Sequence, residues 1–356
     1  GAARIVPLAI AEPARRRPDV RLTAIAAREP ARADEIAAQE GFACAAASYA
    51  DLLARDDVDL VYIALPPSLH CEWAVAAARH GKAVLCEKPF AANAAEARAM
   101  VDAAAAAGTL LLEGYHYRFH RLIREAERLL RAGAIGDPVS ARARVEYPIP
   151  RKAGEPRWDS ALGGGALMDL GCYGVHALRL LLGSEPEVIA AQARMVLEGV
   201  DAATTAHLRF GQVEAEFGCA MDCAAPATTL HITGTRGTLE IEGFVLAARS
   251  GKLRVVRGGE AEVIDISGPS SYEEQMDHVV SVMRGQARPV TGGTDAIATM
   301  EAIGGLALTE PEIGSDLKAL TTTVHEDGSE LVVGQGGEVN VPGDSLLTFY
   351  DKEGKL

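Results

Sequence analysis

Short apolar runs alternate with helix-type runs over the first third of the chain, and this alternation constrains the fold more than any other feature. The apolar runs cover residues 21–28, 58–65, 83–89 and 109–118, and helix-type segments separate them. Strands separated by helices form right-handed βαβ crossovers and a parallel sheet. The sequence therefore predicts an α/β fold whose first domain is a doubly wound Rossmann sheet.

The pattern changes near residue 119. Later segments such as 187–197 and 252–258 alternate apolar and polar residues, which is typical of an antiparallel sheet with one covered face. We expect a Rossmann domain over 1–119, an α+β domain with an open, mostly antiparallel sheet over 120–304, and an atypical tail over 305–356.

The charge balance excludes several classes of partner. The chain has 49 acidic and 35 basic residues and a formal net charge of -14. Nucleic-acid binding depends on clustered lysine and arginine, so we expect no nucleic-acid partner. We also expect no membrane partner, because no apolar run has the length and composition of a membrane span. The six cysteines lack metal-ligand spacing, which predicts reduced thiols, a cytoplasmic location and no metal site.

The start of the chain looks like the second half of a glycine-rich strand-to-helix turn. Such a turn lets backbone N–H groups approach a pyrophosphate at a helix N-terminus. Because the full glycine motif is not present, we expect the first strand of the sheet to be missing. An ordinary helix start is the alternative interpretation. The predicted cofactor contacts in this segment are Gly1, Ala2, Ala3, Arg4 and Ile5.

Arg28 stands at the end of the second strand of a dinucleotide fold, where such folds contact the adenosine ribose. An arginine suits a 2′-phosphate through its forked donors, whereas an acidic residue favours a free 2′-hydroxyl. The adjacent Glu29 weakens this distinction, and a surface arginine is the alternative interpretation. The sequence thus favours NADP as the cofactor, with NAD as the second candidate.

Ionisable and aromatic residues follow the ends of three predicted strands. The carboxyl ends of parallel strands meet at one edge of a sheet, and ligands bind there. An ionisable pair at such an edge is costly unless it is solvated, paired or used. We therefore expect these residues to line a site. They are Leu65, Pro66 and His70, then Glu87, Lys88 and Pro89, and finally His116 and Arg118.

A glycine-rich segment in the second domain leads into a helix with three polar candidates. Asp169 and Tyr173 are four residues apart and His176 follows three residues later, so the three share a helix face. His176 suits proton transfer near neutral pH, and a histidine packed between helix and sheet is the alternative. Arg157 and Trp158 precede the helix where we expect a substrate-side lid, although Trp158 also suits a loop anchor.

Three motifs, "EKPF", "YRFH" and "GGGALMDLGCYGVH", together resemble the glucose-fructose oxidoreductase, inositol dehydrogenase and MocA family of nicotinamide-dependent oxidoreductases. The resemblance covers roughly residues 1–300 and is strongest to the branch of dihydrodiol dehydrogenase and NADP-dependent xylose dehydrogenase. It implies a homodimer or homotetramer built through the second-domain sheet. Residues 307–323 instead resemble a loop of acyl-CoA dehydrogenases, so the tail looks foreign to the family.

The resemblance also implies roles for particular residues. Lys88 corresponds to the catalytic lysine of the family, and Pro89 to a proline that typically forms a cis peptide with it. Glu87 corresponds to the partner on the cofactor side. Tyr173 corresponds to a tyrosine implicated in proton transfer, with Asp169 tuning the pair. A nearby Lys88 ammonium would be needed to favour the tyrosine phenolate.

The expected function is hydride transfer between a nicotinamide cofactor and the hydroxyl or carbonyl of a sugar or cyclic diol. We expect Lys88 and Tyr173 to handle the reacting oxygen and its proton. The other predicted catalytic residues are Asp169 and His176, and the predicted substrate contacts are His116, Arg118, Arg157 and Trp158. The alternative is a dinucleotide-binding sensor or scaffold of the same fold that has no turnover.

Overall fold

The computed structural model describes residues 1–308, 321–324, 330–334 and 337–341. The helices of the first 308 residues are α1 (Glu12–Arg15), α2 (Pro30–Glu40), α3 (Tyr49–Leu53), α4 (His70–Arg79), α5 (Ala94–Ala107), α6 (Arg121–Arg131), α7 (Cys172–Leu182), α8 (Ala247–Ser250), α9 (Ser271–Met283) and α10 (Thr294–Leu308). None of the helices in this described part is long and apolar enough to span a membrane.

Thirteen strands lie in the same part of the chain. They are β1 (Ala24–Ile25), β2 (Cys44–Ala45), β3 (Leu60–Ile63), β4 (Ala83–Cys86), β5 (Leu111–Glu113), β6 (Pro138–Glu146), β7 (Glu187–Leu197), β8 (Val200–Phe210), β9 (Val213–Ala220), β10 (Ala227–Gly234), β11 (Gly237–Glu242), β12 (Lys252–Arg257) and β13 (Glu260–Ile264). A π-helical turn, Leu167–Gly171, leads directly into α7.

The first domain contains the predicted parallel sheet, in two pieces. Strands β3, β4 and β5 form one piece, and β1 pairs with β2 in the other. A cavity of about 400 Å³ is lined by residues of both pieces and of α9. Every residue of β4 is buried, which fits a strand covered on both faces. The carboxyl ends of β3, β4 and β5 lie at one edge, as expected.

The second sheet has eight strands in the order β13-β12-β11-β10-β6-β9-β8-β7. Only the β6 and β9 pair is parallel, so the prediction of a mostly antiparallel sheet is confirmed. Ala141, Ala143 and Val145 of β6 are buried and alternate with exposed residues. The helix α7 packs on this face closely, since a Cβ at Gly174 would lie 2.8 Å from the Phe217 ring.

Some elements differ from the sequence prediction. The apolar runs 21–28 and 109–118 contain strands of only two and three residues. The second of these runs continues into a 3₁₀ turn, His116–Phe119. The helix α9 was not predicted. Its start is fixed by Ser270 and Glu273, whose side chains each accept the backbone N–H of the other residue.

The chain divides into two compact units, Gly1–Leu308 and Thr309–Leu356. The helix α10 continues past residue 304, where we expected the tail to begin. In the second unit, β14 (Thr321–Val324), β15 (Glu330–Gly334) and β16 (Gly337–Val341) form an antiparallel sheet. The acyl-CoA dehydrogenase-like stretch falls mainly on 309–320, outside the described residues.

Candidate active site

A cavity of about 410 Å³ opens at the carboxyl edge of β3 and β4, facing the start of α7. Both domains contribute to its wall. The predicted site residues that line it are Ala3, Arg4, Ile5, Leu65, Pro66, Glu87, Lys88, Pro89, Arg157, Asp169 and Tyr173. The strand-end prediction and the helix-spacing prediction therefore converge on one cavity.

Lys88 follows β4 and crosses the cavity to the second domain. Its peptide bond to Pro89 is cis, as the resemblance implies. The Lys88 ammonium donates to the backbone oxygen of Asp169 at 2.8 Å and to Asp169 Oδ1 at 2.9 Å. It lies 4.8 Å from the centroid of the Tyr173 ring. Burial is the largest influence and disfavours this ammonium, but the charge and hydrogen bond of Asp169, together with Cys172 and Glu87, outweigh burial and raise the pKa of Lys88.

Asp169 belongs to a row of five alternating charges. Its Oδ2 lies 2.9 Å from Nε of Arg157, which also donates to Glu155 at 2.9 Å. The second oxygen of Glu155 accepts from Arg4 at 2.8 Å. Burial opposes ionisation of Asp169, yet the charges of Lys88 and Arg157 outweigh it and lower the pKa of Asp169. The carboxylate therefore neutralises much of the Lys88 charge.

Tyr173 stands in an aromatic enclosure. The Tyr115 and Tyr117 rings meet it edge-on, with centroids 5.7 Å away in both cases. Its hydroxyl lies 3.3 Å from Nε2 of His116. Burial first, and then the charge of Glu87, raise the pKa of Tyr173 well above its ordinary value. The residue is thus a neutral phenol here, although the Lys88 ammonium that a phenolate would need lies over its ring.

Two further predicted residues form hydrogen bonds at the edge of the sheet. Glu87 accepts a hydrogen bond from the Tyr62 hydroxyl at 2.6 Å, and burial raises its pKa. His70 is completely buried, with Nε2 2.8 Å from the Leu65 oxygen and Nδ1 3.0 Å from the Pro89 oxygen. It joins the two loops of the cavity from behind and does not line the cavity itself.

Three of the predicted substrate contacts do not reach this cavity. His116 is 1% exposed and lies behind Tyr173. Arg118 pairs with Glu127 at 3.0 Å. The indole N–H of Trp158 donates to a backbone oxygen at 3.1 Å, so this residue anchors its loop. Only Arg157 of the four lines the cavity.

His176 lies in a second polar cluster, deeper along α7. Its Nε2 is 3.1 Å from Asp295 Oδ2, and its Nδ1 contacts the Tyr117 hydroxyl. Arg179 also pairs with Asp295, at 3.0 Å. His176 is 2% exposed and does not line the cavity. His176 is therefore a buried packing residue, as in the alternative interpretation, but its partners lie on α10 and around the 3₁₀ turn and not on the sheet.

The amino-terminal segment approaches the β3 loop closely. A Cβ at Gly1 would lie 2.5 Å from the Ala64 oxygen. Ala2 packs in the small apolar cluster around this loop. The Arg28 side chain is 90% exposed and lies 3.6 Å from Glu29, so its guanidinium is accessible to a phosphate.

The residues present fit a dinucleotide. The backbone of residues 3–5 and the loops after β3 and β4 line the cavity, at the sheet edge where parallel strands bind ligands. A charged lysine lies 4.8 Å from the ring centroid of a neutral phenol in the same space. Within the described residues, no three His, Cys, Asp or Glu side chains converge as metal ligands would.

Comparison with known proteins decides the family. A profile for the "Oxidoreductase family, NAD-binding Rossmann fold" matches residues 1–115, and one for the "GFO/IDH/MocA C-terminal domain" matches 123–240. A D-xylose 1-dehydrogenase (NADP(+)) of Haloferax volcanii is 33% identical over 288 residues, covering 79% of this chain and 86% of that protein. The chain belongs to the glucose-fructose oxidoreductase, inositol dehydrogenase and MocA family.

Other members of the family agree with the branch inferred from the motifs. A trans-1,2-dihydrobenzene-1,2-diol dehydrogenase of Mus musculus is 35% identical over 223 residues, covering 62% of this chain and 66% of that one. A 3-ketoreductase from Actinomadura kijaniata, solved with NADP and TDP-benzene, superposes with a TM-score of 0.81 at 27% identity. That match covers 87% of this chain and 95% of the ketoreductase. The predicted fold class and the oxidoreductase assignment are confirmed.

Sequence reasoning missed several residues of this oxidoreductase site. Tyr272 of α9 lines the cavity, and Ser271 beside it contacts His116. The serine and glutamate that start α9 were a readable signal for this helix. Glu155 was also not predicted, because the sequence of an irregular loop does not indicate which carboxylate is buried.

Proposed function

We propose that the chain transfers a hydride between NADP and the hydroxyl or carbonyl carbon of a sugar or cyclic diol. One observation carries the proposal: a lysine ammonium, fixed by a carboxylate, lies over the ring of a neutral tyrosine at the wall of a cavity. The names of the xylose and dihydrodiol dehydrogenases among its relatives support this substrate class.

The cofactor would be held by the first-domain side of the cavity. The contributing segments are residues 3–5, 65–66 and 87–89, and we assign the exposed Arg28 to the phosphate on the ribose. Bound NADP supplies the hydride acceptor, and NADPH the hydride donor.

Lys88 and Tyr173 would act on the substrate oxygen. Lys88 is charged in this site, so its ammonium stabilises negative charge that develops on that oxygen. Tyr173 is neutral, so its hydroxyl donates the proton during reduction and its oxygen takes the proton back during oxidation. Asp169 keeps the ammonium in place through two hydrogen bonds.

The finer organisation follows from the same proposal. We assign residues 1–119 to cofactor binding and 120–304 to substrate binding and assembly. Exposed apolar side chains on the edge strand β7, including Ile189, Met195 and Leu197, support a homo-oligomer through this sheet. Light scattering of the purified chain measures the assembly state.

The six unpaired cysteines suit a cytoplasmic location.

Titration with NADPH and NADH, followed by the fluorescence of the bound cofactor, tests the cofactor assignment. We expect NADPH to bind about 10-fold more tightly, because the charged hydrogen bonds of Arg28 favour the 2′-phosphate. An Arg28→Ala variant should remove the difference. Arg32→Ala is the control, since Arg32 is an exposed arginine paired with Glu35 on α2.

A substrate panel then separates the two functions considered. It contains D-xylose, other aldoses and trans-1,2-cyclohexanediol, each with NADP. Turnover of a member supports the oxidoreductase proposal. Tight NADPH binding without turnover of any member favours a sensor or scaffold instead. If neither nicotinamide cofactor binds, both proposals fail.

A further inference from the structure

A two-step hydrogen-bond chain leads from the cavity wall to the start of α9. The Tyr173 hydroxyl lies 3.3 Å from Nε2 of His116, and Nδ1 of His116 lies 2.8 Å from the Ser271 hydroxyl. His116 is 1% exposed and Ser271 is 4% exposed. The imidazole stacks on Tyr272 with centroids 4.0 Å apart, which fixes the plane of the ring. Neither residue lines the cavity, and His116 contacts the two cavity-lining residues Tyr173 and Tyr272.

The arrangement of donors and acceptors selects one tautomer of His116. Burial, with the charges of Lys88 and His120, lowers the pKa of His116 to about 3, so the ring is neutral and carries one N–H. A buried hydroxyl needs an acceptor for its proton. In the part of the chain that the structure describes, Nδ1 of His116 is the sole hydrogen-bond partner of the Ser271 hydroxyl. The serine therefore donates to Nδ1.

We propose that Ser271 and His116 are positioning residues that keep an N–H donor directed at the oxygen of Tyr173. This inference rests on the proposed function. With Ser271 donating to Nδ1, the proton of His116 stands on Nε2 and is donated to the tyrosine oxygen. The hydroxyl proton of Tyr173 is then left free to point into the cavity.

The chain matters when Tyr173 gives up its proton. During reduction, the Tyr173 O–H bond breaks, an O–H bond forms on the substrate oxygen, and the electron pair of the broken bond stays on the phenolate. The His116 N–H remains bonded to that phenolate, and a hydrogen bond to a charged acceptor is stronger than one to a neutral acceptor. During oxidation, the same phenolate accepts the substrate proton.

Other groups around Tyr173 do not supply this donor. Among the described side chains, His116 is the hydrogen-bond partner of the Tyr173 oxygen. Lys88 lies against the ring and is bonded to Asp169. The titratable groups facing Tyr173 are Tyr62 on β3, Glu87 and Lys88 after β4, Tyr115, His116 and Tyr117 after β5, Asp169 and Cys172 on its own helical segment, and Tyr272 on α9.

Nitrogen NMR of the chain labelled with ¹⁵N-histidine tests the tautomer without any turnover. The His116 signals are identified by their loss in a His116→Gln variant. We expect the proton on Nε2, and a proton on Nδ1 overturns the proposal. In Ser271→Ala we expect the proton to distribute over both nitrogens, whereas an unchanged Nε2–H would show that Ser271 does not set the tautomer. Ser281→Ala, on the same helix and exposed, is the control.

Kinetics test the consequence, with D-xylose and NADP as the probe. His116→Phe keeps an aromatic ring on Tyr272 and removes the donor. We expect kcat for oxidation to fall about 10-fold at a pH below the tyrosine pKa, with KM for NADP unchanged. The pH at which kcat reaches half of its maximum should increase by about one unit.

A conservative variant separates positioning from general damage. His116→Gln returns an N–H donor and should recover most of the lost kcat. Equal losses in the Phe and Gln variants, or a pH profile of His116→Phe that superposes on the parent, overturn the proposal. If the parent chain oxidises no substrate, the proposed function fails, and the NMR result still decides the arrangement of the hydrogen-bond chain.

Discussion

The helical segment from Leu167 to Leu182 carries two buried polar clusters that contain similar residues and differ in what surrounds them. At its start, Asp169 and Tyr173 meet Lys88 at the wall of a cavity. One to two turns later, His176 and Arg179 share Asp295 and are closed off from that cavity. Each cluster combines a carboxylate, a cation and a tyrosine.

The difference teaches that polar composition and helix spacing do not identify an active site. The first cluster borders empty space at the carboxyl edge of a parallel sheet, where a ligand can be reached. The second cluster satisfies its hydrogen bonds internally and joins α7 to α10. We therefore expect mutations in the first cluster to change turnover and mutations in the second to change stability.

The largest expected effect is on turnover in Lys88→Met. Removing the ammonium leaves charge on the substrate oxygen without its cation, so kcat should fall at least about 10³-fold. The affinity for NADPH should stay within about threefold of the parent value, because we expect Lys88 to stabilise the transition state and not the bound cofactor. Lys82→Met is the matched control, because Lys82 also donates to a backbone oxygen but lies outside the cavity. Full turnover in Lys88→Met would contradict the catalytic assignment.

Tyr173→Phe should lower turnover by about 10²-fold, because it removes a general acid while keeping the ring under Lys88. The thermal midpoint should change little. Stopped-flow measurement of single-turnover rates is the appropriate assay, since it isolates chemistry from product release. Tyr117→Phe, a neighbouring ring outside the cavity, is the comparison. The assignment is wrong if the Tyr117 variant loses as much activity as the Tyr173 variant.

His176→Phe should affect the second cluster alone. The change retains a ring against Tyr115 but leaves the Tyr117 hydroxyl without its partner, so stability should fall by about 1–3 kcal/mol. Turnover of the folded variant should stay within about threefold. Urea unfolding and a steady-state assay on the same sample measure both. Lost turnover without lost stability would erase the distinction between the two clusters.

The smallest expected effect is on stability, and it comes from Glu113 at the end of β5. It is completely buried, and neither of its carboxyl oxygens has a hydrogen-bond partner among the described residues. Burial, followed by the charge of Asp295, raises the pKa of Glu113. The stability that depends on its proton is fully present below the unfolded pKa, and it is lost as pH rises through the folded pKa.

At about pH 8, the free energy of unfolding of a Glu113→Gln variant should therefore exceed that of the parent by about 1–2 kcal/mol. Below about pH 4 the two free energies of unfolding should be equal. Urea unfolding at the two pH values measures the change. Glu198→Gln, an exposed glutamate, is the control. A stability difference that does not vary with pH would show that Glu113 is ionised in the folded chain.

Much of the first cluster was predictable from the sequence, for reasons that differ by residue. Lys88 was found because parallel strands bring their carboxyl ends together. Asp169 and Tyr173 were found through the resemblance to the family, and helix spacing places the two on one face. His176 shares their face but lies farther along the axis, and spacing does not say where a cavity ends. Tyr272 was missed because contacts between distant segments depend on packing of the whole domain.

The same limit applies to the strands. Composition identified the buried runs, but two of them contain only two or three paired residues, because tertiary hydrogen bonds decide where pairing stops. In the sequence, the cofactor preference rests on Arg28 alone, and its side chain is 90% exposed in the structure. Sequence patterns thus predict the edge that holds the site better than they predict its side-chain contacts.

The row Arg4, Glu155, Arg157, Asp169 and Lys88 begins and ends on a cation, so it carries one surplus positive charge inside a chain whose formal net charge is -14. An anionic cofactor is repelled by the molecule at a distance and attracted only near the cleft. Salt screens the distant repulsion more than the close, partly buried attraction. Moderate ionic strength should therefore quicken the encounter with NADPH, the reverse of what a basic, cofactor-steering surface would produce.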